Sequence, residues 1–136
     1  MGKGMTSLKH LFRDRSEIAL AYLFGSRAQG KAHPASDTDI AVLLDEKNDI
    51  RNTLDYRLGL LQDVKNALQT ENIDLVILNN ATPLLRSQVV RYGKVLYSVN
   101  AAIPIRFKAR AIVEYLDVKP MLDFFTAAAV RRIKEA

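Results

Sequence analysis

Residues 18–44 read IALAYLFGSRAQGKAHPASDTDIAVLL, and this stretch decides the fold. It contains two apolar runs, residues 18–24 and 38–44, separated by a segment of glycine, alanine and polar residues. Apolar runs of this length between breaking residues are typical of buried strands. The sequence therefore predicts two strands here, the first ended by a glycine and the second opened by an Asp-x-Asp pair.

The rest of the chain predicts a small α/β or α+β domain with a mixed sheet. We expect helices at about 6–15, 49–70 and 83–92, and strands at 73–78 and 94–99. The region 104–135 is expected to be helical with a break near Lys119 and Pro120, because proline fits a first helical turn but not a helix interior. No repeat or linker indicates a second domain, so residues 1–136 are expected to form one domain with a helical C-terminal part at about 101–136.

Two features of the predicted helices can be tested directly. The long second helix carries apolar residues at helical spacing, which are expected to form one buried stripe: Leu54, Leu58, Leu61, Val64 and Leu68. The third helix is expected to end at Gly93, because glycine is common just past a helix C-terminus.

Composition excludes several classes of site and function. Among the 136 residues there is no cysteine, which rules out disulfides, thiol catalysis and zinc–thiolate sites. No apolar run approaches the roughly 20 residues of a membrane span, and the N-terminus lacks a signal peptide, so a cytoplasmic protein is expected. The net charge of +5 suits a polyanionic ligand or an acidic partner. Because basic residues are scattered among acidic ones, direct nucleic-acid binding is not expected.

Three aspartates are the candidate metal ligands. In a strand Asp37 and Asp39 project to the same side, with Cα atoms roughly 6.5–7 Å apart, while Ile40 and Val42 point into the core. Adjacent carboxylates repel each other, and divalent cations such as Mg²⁺ relieve that repulsion and can clamp phosphate groups. Asp74 lies in an otherwise apolar strand and can complete the site if the third strand neighbours the second. The alternatives are solvated turn residues for the pair and an edge-strand charge for Asp74.

The Gly25-Ser26 pair is the candidate phosphate site. Gly25 follows a buried strand and permits close backbone approach, so the amides after it can bind phosphate oxygens. The Ser26 hydroxyl adds a donor, and Arg27 lies near enough to add positive charge. No Walker A motif is present. The alternative is a strand-ending glycine with a serine cap.

Together these residues form the pattern G-S-x10-D-x-D, which resembles the signature of the polymerase-β-like nucleotidyltransferase superfamily. The resemblance implies a small, mostly antiparallel sheet of about four strands with packed helices. It implies that Gly25 and Ser26 hold the triphosphate of ATP. Asp37 and Asp39 are then ligands of two Mg²⁺ ions, and Asp74 is the third catalytic carboxylate, which also contributes to metal binding.

In size and flanking residues the chain resembles the minimal nucleotidyltransferase (MNT) branch over about residues 15–135. That resemblance implies an antitoxin that transfers AMP from ATP to a tyrosine of a HEPN-domain ribonuclease toxin. Transfer to a small-molecule hydroxyl and neutralisation by binding alone remain as alternatives, and a homo-oligomer stays open. Apolar residues of the tail are expected mainly to cover the sheet, with a partner interface as the alternative: Ile105, Phe107, Ile112, Leu116, Phe124 and Phe125.

Overall fold

The chain is described by a computed structural model that covers residues 2–25, 37–47 and 53–135. In chain order the elements are α1 (Gly2–Arg13), β1 (Ile18–Phe24), β2 (Thr38–Leu44), α2 (Thr53–Leu68), β3 (Ile73–Ile77), a 3₁₀ turn (Leu78–Asn80), α3 (Pro83–Tyr92), β4 (Lys94–Ser98) and α4 (Ala102–Glu135). The predicted order of helices and strands is confirmed over these residues, with boundaries that differ by a few positions. The first four residues predicted for α2, 49–52, lie outside the described residues.

The four strands form one sheet in the order β3-β2-β1-β4. β1 pairs antiparallel with β2 and with β4, whereas β2 pairs parallel with β3. A parallel pair needs a crossover connection, and α2 supplies it. The predicted mixed, mostly antiparallel sheet is confirmed.

Helices cover both faces of the sheet. On one face α1 packs against β1, β4 and α2, and α2 packs against β3. The fully buried side chains of this face include Leu8, Phe12, Ile40, Leu60, Val64 and Leu75. On the other face α3 and α4 pack against β1 and β2 through buried side chains that include Leu20, Tyr22, Ala41, Val89, Phe107 and Ala111. β1 is buried along six of its seven residues because it is central and covered on both faces, as its continuous apolar sequence predicts.

The predicted stripe of α2 is only partly correct. Leu54 and Leu58 are 61% and 52% exposed, whereas Leu60, which the stripe omitted, is fully buried with Val64. The face that α2 turns to the sheet is thus rotated from the one that the leucine spacing indicates. Helical spacing gives a period, but the packing of α2 against α1 and β3 decides which residues face inward.

The predicted break in the last helix is wrong. α4 runs without interruption from Ala102 to Glu135 and contains Pro120 in its interior. A proline there removes one hydrogen bond to the carbonyl four residues earlier, that of Leu116. Because Leu116 is 56% exposed, water can solvate that carbonyl and the helix continues. Among the described residues no helix is long and apolar enough to cross a membrane.

Beyond its last buried residue, α4 exposes large apolar side chains. Its last fully buried residue is Ala111. Beyond it, exposures of 45–75% are found at Val113, Leu116, Met121, Phe124, Phe125, Val130 and Ile133. The expectation that the tail covers the sheet is therefore correct for Phe107 and Ile112 and wrong for Ile105, Leu116, Phe124 and Phe125. Large apolar side chains exposed in such number along one helix indicate a candidate interaction surface.

Gly93 caps α3 as predicted, but for a different physical reason. Its φ of −81° is accessible to any residue, so the position does not require left-handed backbone. Its N–H donates to the carbonyl of Val89, and a Cβ there would lie 2.5 Å from that oxygen and 3.2 Å from the carbonyl oxygen of Leu23. Close backbone packing between α3 and β1 requires the glycine.

Candidate active site

The sheet brings two of the predicted carboxylates side by side. Asp39 and Asp74 are register partners in the parallel β2–β3 pair. The residues that follow them, Ile40 and Leu75, are fully buried on the α1/α2 face. Side chains alternate along a strand, so Asp39 and Asp74 project together from the opposite face. The expectation that β3 neighbours β2 and presents Asp74 to Asp39 is confirmed.

Asp37 lies immediately before β2 and is exposed. Burial raises the pKa of Asp39 above its usual value, and the negative charges of Asp74 and then Asp37 raise it further. These contributions identify one electrostatic cluster of three carboxylates. Since like charges disfavour ionisation, the cluster is suited to binding a cation.

Gly25 makes room for the Asp39 carboxylate. It ends β1 with a φ of +72°, a left-handed conformation that side chains with a Cβ rarely adopt. A Cβ at this position would lie 3.0 Å from Asp39 Cγ and would overlap Asp39 Oδ2. Two independent constraints therefore favour glycine at this position: the left-handed backbone and the close approach of the Asp39 carboxylate. This contact explains physically why a strand-ending glycine and the Asp-x-Asp pair occur together in the sequence.

The donor chemistry fits Mg²⁺, which takes carboxylate oxygens and usually combines one or two carboxylates with substrate phosphates. Among residues 2–25, 37–47 and 53–135, no three His, Asp or Glu side chains form a ready-made metal cage. The Asp74 side chain is 56% exposed, so water and a phosphate group can reach it. The aspartate cluster can thus provide part of a coordination shell, to be completed by water and phosphate.

A cation that the sequence interpretation missed lies beside the carboxylates. Arg57, on α2, donates from Nε to the carbonyl oxygen of Leu75 at 2.8 Å. Its Nη2 lies 3.9 Å from Asp74 Oδ1. The sequence did contain one indication of this contact: Arg57 borders the apolar face of α2, the helix that connects β2 with β3. Helical spacing alone does not show that such a side chain reaches a neighbouring strand.

Two predicted phosphate-binding residues, Ser26 and Arg27, lie outside the described residues. The structure therefore places Gly25, Asp37, Asp39 and Asp74, and of these it joins Gly25, Asp39 and Asp74 in one cluster with Asp37 beside it.

Residues 6–102 match the family described as Polymerase beta, Nucleotidyltransferase. The chain belongs to this nucleotidyltransferase family. The match runs from within α1 to the first residue of α4 and includes all six residues predicted for the site. The resemblance that the G-S-x10-D-x-D spacing predicts is confirmed at the level of the family.

Relatives and solved structures indicate which branch of the nucleotidyltransferase family this chain resembles. A protein adenylyltransferase MntA from Shewanella oneidensis is 43% identical over 90 residues, which span 64% of this chain and 60% of the relative. A solved toxin–antitoxin structure with AMP-PNP is 31% identical, with a TM-score of 0.79, and the match covers 93% of this chain and 98% of that one.

A second solved structure contains a tri-AMPylated Shewanella oneidensis HEPN toxin in complex with an MNT antitoxin. It is 28% identical with a TM-score of 0.74, covering 93% of this chain and 96% of that one. The predicted resemblance to the MNT branch is therefore confirmed.

Proposed function

We propose that this chain is a Mg²⁺-dependent protein adenylyltransferase and the antitoxin of a HEPN/MNT pair. Residues 1–136 act as one nucleotidyltransferase domain in the cytoplasm, transferring AMP from ATP to a tyrosine of the toxin. The observation that carries the proposal is the Asp39–Asp74 register pair. It places two like-charged side chains together on a nucleotidyltransferase fold. Relatives named protein adenylyltransferase and solved toxin–antitoxin complexes support the acceptor and the partner.

Each residue of the site has a proposed role. Asp37 and Asp39 ligate the Mg²⁺ ions, with Asp74 as the third carboxylate. Gly25 lets the Asp39 carboxylate lie against the end of β1. Ser26 and Arg27 are proposed to bind the triphosphate through a hydroxyl and a positive charge. Bound Mg²⁺ supplies neutralisation of the charge that develops on the phosphate oxygens.

The exposure of Asp74 suits a proton acceptor for an incoming hydroxyl. The tyrosine oxygen attacks the α-phosphorus of ATP, and a new oxygen–phosphorus bond forms. The bond from the α-phosphorus to the bridging oxygen of the leaving pyrophosphate breaks. The phenolic proton passes to the Asp74 carboxylate, which an acceptor on another protein can reach because its side chain is 56% exposed.

The second half of α4 is the proposed docking surface for the toxin. Its exposed aromatic pair, Phe124 and Phe125, pack edge to face with ring centroids 5.7 Å apart. Arg131, Arg132 and Lys134 add positive charge at its end, which favours an acidic rim on the partner. Each match to these solved toxin–antitoxin structures covers 93% of this chain, which supports a toxin as the partner.

Transfer of labelled AMP tests the activity. The full chain is incubated with α-labelled ATP, Mg²⁺ and the HEPN toxin, and label should appear on one or more toxin tyrosines. Asp39→Asn should abolish labelling, whereas Asp14→Asn, an equal charge change at an exposed position after α1, should not. An unlabelled toxin, or equal labelling by the wild type and Asp39→Asn, would overturn the proposal.

The docking surface has its own test, measured as complex formation by size-exclusion chromatography with light scattering. Changing both phenylalanines with Phe124→Ser and Phe125→Ser should prevent binding of the toxin. Leu84→Ser, at a 41% exposed position of α3, is the matched control and should bind normally. A wild-type chain that pairs with itself through α4 would instead assign this surface to a second copy.

A further inference from the structure

Arg57 reaches the carboxylate cluster from the opposite face of the sheet. α2 packs on the face formed by Ile40 and Leu75, whereas Asp39 and Asp74 project from the other face. Within the part of the chain that the structure describes, β3 lies at the edge of the sheet with β2 as its one neighbouring strand. The Arg57 guanidinium therefore reaches Asp74 past the free edge of β3.

The contact of Arg57 with β3 is specific rather than incidental. Its Nε donates to the Leu75 carbonyl at 2.8 Å, and that carbonyl belongs to the residue directly after Asp74. This bond fixes the plane of the guanidinium and leaves Nη2 facing Asp74 Oδ1 at 3.9 Å. The Arg57 side chain is 37% exposed and is anchored to the Leu75 carbonyl, whereas the Asp74 side chain is 56% exposed.

We propose that Arg57 is a positioning residue that holds Asp74 at the open edge of the sheet. This inference rests on the proposed function, in which Asp74 accepts the proton of an incoming hydroxyl. An aspartate beside two other carboxylates would otherwise turn away from them in directions that the fold does not control. The guanidinium gives Asp74 one favoured direction, toward the edge that an acceptor protein can approach.

The charge of Arg57 gives the proposal a distinctive signature. A positive charge beside a Mg²⁺ ligand opposes binding of the cation, so Arg57 cannot act by strengthening metal affinity. Its contribution must appear in the rate of transfer. Loss of Arg57 should therefore slow transfer without weakening the binding of the Mg²⁺–nucleotide complex, whereas general damage to the fold would weaken both.

The experiment compares Arg57→Gln, Arg57→Lys and Arg13→Gln in the full chain with the toxin as acceptor. Arg13→Gln makes the same charge change at an exposed position of α1. For Arg57→Gln we expect kcat to fall about 10- to 100-fold. We expect the Kd for Mg²⁺ with AMP-PNP, measured calorimetrically, to be unchanged or lower. Arg57→Lys should restore part of kcat, because it keeps the charge but loses the planar donor pair.

Hydrogen exchange supplies a readout that does not depend on activity. Arg57→Gln should increase amide exchange in residues 73–77 several-fold and leave residues 2–13 unchanged, and Arg13→Gln should not change exchange in residues 73–77. Unchanged exchange in β3, wild-type kcat in Arg57→Gln, or weaker AMP-PNP binding by that variant would each overturn the positioning role. If the wild type transfers no AMP but Arg57→Gln still increases exchange in β3, the proposed function is refuted. The stabilisation of β3 by Arg57 is then still supported.

Discussion

A single methyl group at Gly25 perturbs both the end of β1 and the carboxylate beside it. Gly25→Ala forces a side chain onto a φ of +72°. It also places a Cβ 3.0 Å from Asp39 Cγ and into overlap with Asp39 Oδ2. The backbone must therefore change, or the carboxylate must move, and in the folded protein we expect some of both.

The two effects of Gly25→Ala have separate magnitudes. Left-handed backbone at a residue with a Cβ costs about 1–2 kcal/mol. Driving the Asp39 side chain off its favoured rotamer adds about 0.5–1.5 kcal/mol. The expected loss of stability is about 2–3 kcal/mol, or roughly 10 °C in Tm for a chain of this size. Because Asp39 moves by about 1 Å, AMP transfer should fall about 100-fold.

Gly59 provides a matched control for the substitution. It lies in α2, and a Cβ there would meet no atom within 4 Å. Since alanine is favoured over glycine inside a helix, Gly59→Ala should raise stability by about 0.8–1 kcal/mol and leave transfer unchanged. Thermal melts and the labelled-AMP assay measure both variants under the same conditions.

A double-mutant cycle separates backbone strain from the clash. In an Asp39→Ala background the carboxylate is absent, so Gly25→Ala should cost only the backbone part, about 1–2 kcal/mol. An equal loss in both backgrounds would show that Asp39 does not lie against Gly25. Full activity and wild-type Tm in Gly25→Ala itself would refute the whole account of this contact.

Three further predictions concern the charge of the site, an arginine contact and a helix end. The pKa of Asp39 is raised in the folded protein, so the metal-free protein loses stability as the pH rises from below 3.8 through the folded-state pKa. Asp39→Asn should therefore have a higher Tm than wild type at pH 7 and the same Tm near pH 3. A lower Tm for Asp39→Asn at pH 7 would contradict this. Arg86 donates to the carbonyls of Leu78 and Asn79 and to the Glu114 carboxylate at 2.8–2.9 Å. Arg86→Met should therefore lower the free energy of unfolding, measured in urea, by about 2–4 kcal/mol. A loss below about 1 kcal/mol would refute the importance of these bonds. Gly93→Ala pushes a Cβ against the Val89 carbonyl and should lower Tm, although its φ is ordinary; an unchanged Tm would show that α3 shifts freely.

The sheet was predictable because each strand has a local apolar pattern in the sequence. The apolar runs at 18–24 and 38–44 became β1 and β2 with the same bounds. Asp74 was recognised as a candidate because it lies in an otherwise apolar strand. A charged side chain at such a position is costly unless it is exposed or has a function. The spacing between Gly25 and Asp39 was informative because the two residues touch.

The errors arose where packing between distant elements decides the outcome. Leucine spacing in α2 gave the right period but only part of the inward face: Leu61, Val64 and Leu68 pack against the core, whereas Leu54 and Leu58 are exposed. Contacts with α1 and β3 set the rotation of that helix. Pro120 was tolerated because its half of α4 is open to water, a property that no local pattern encodes. Arg57 escaped notice because its partner, Asp74, is adjacent only after β2 and β3 have paired.

The parallel pairing of β2 with β3 has a consequence for how the protein folds. These strands cannot meet until the intervening chain has formed α2 and crossed the sheet, and such non-local contacts form slowly. Asp39 and Asp74 are therefore distant from each other in early folding stages, and their mutual repulsion arises only as the sheet closes. A partly folded chain carries no assembled carboxylate pair, so the proposed divalent-cation site should be among the last parts of the fold to form.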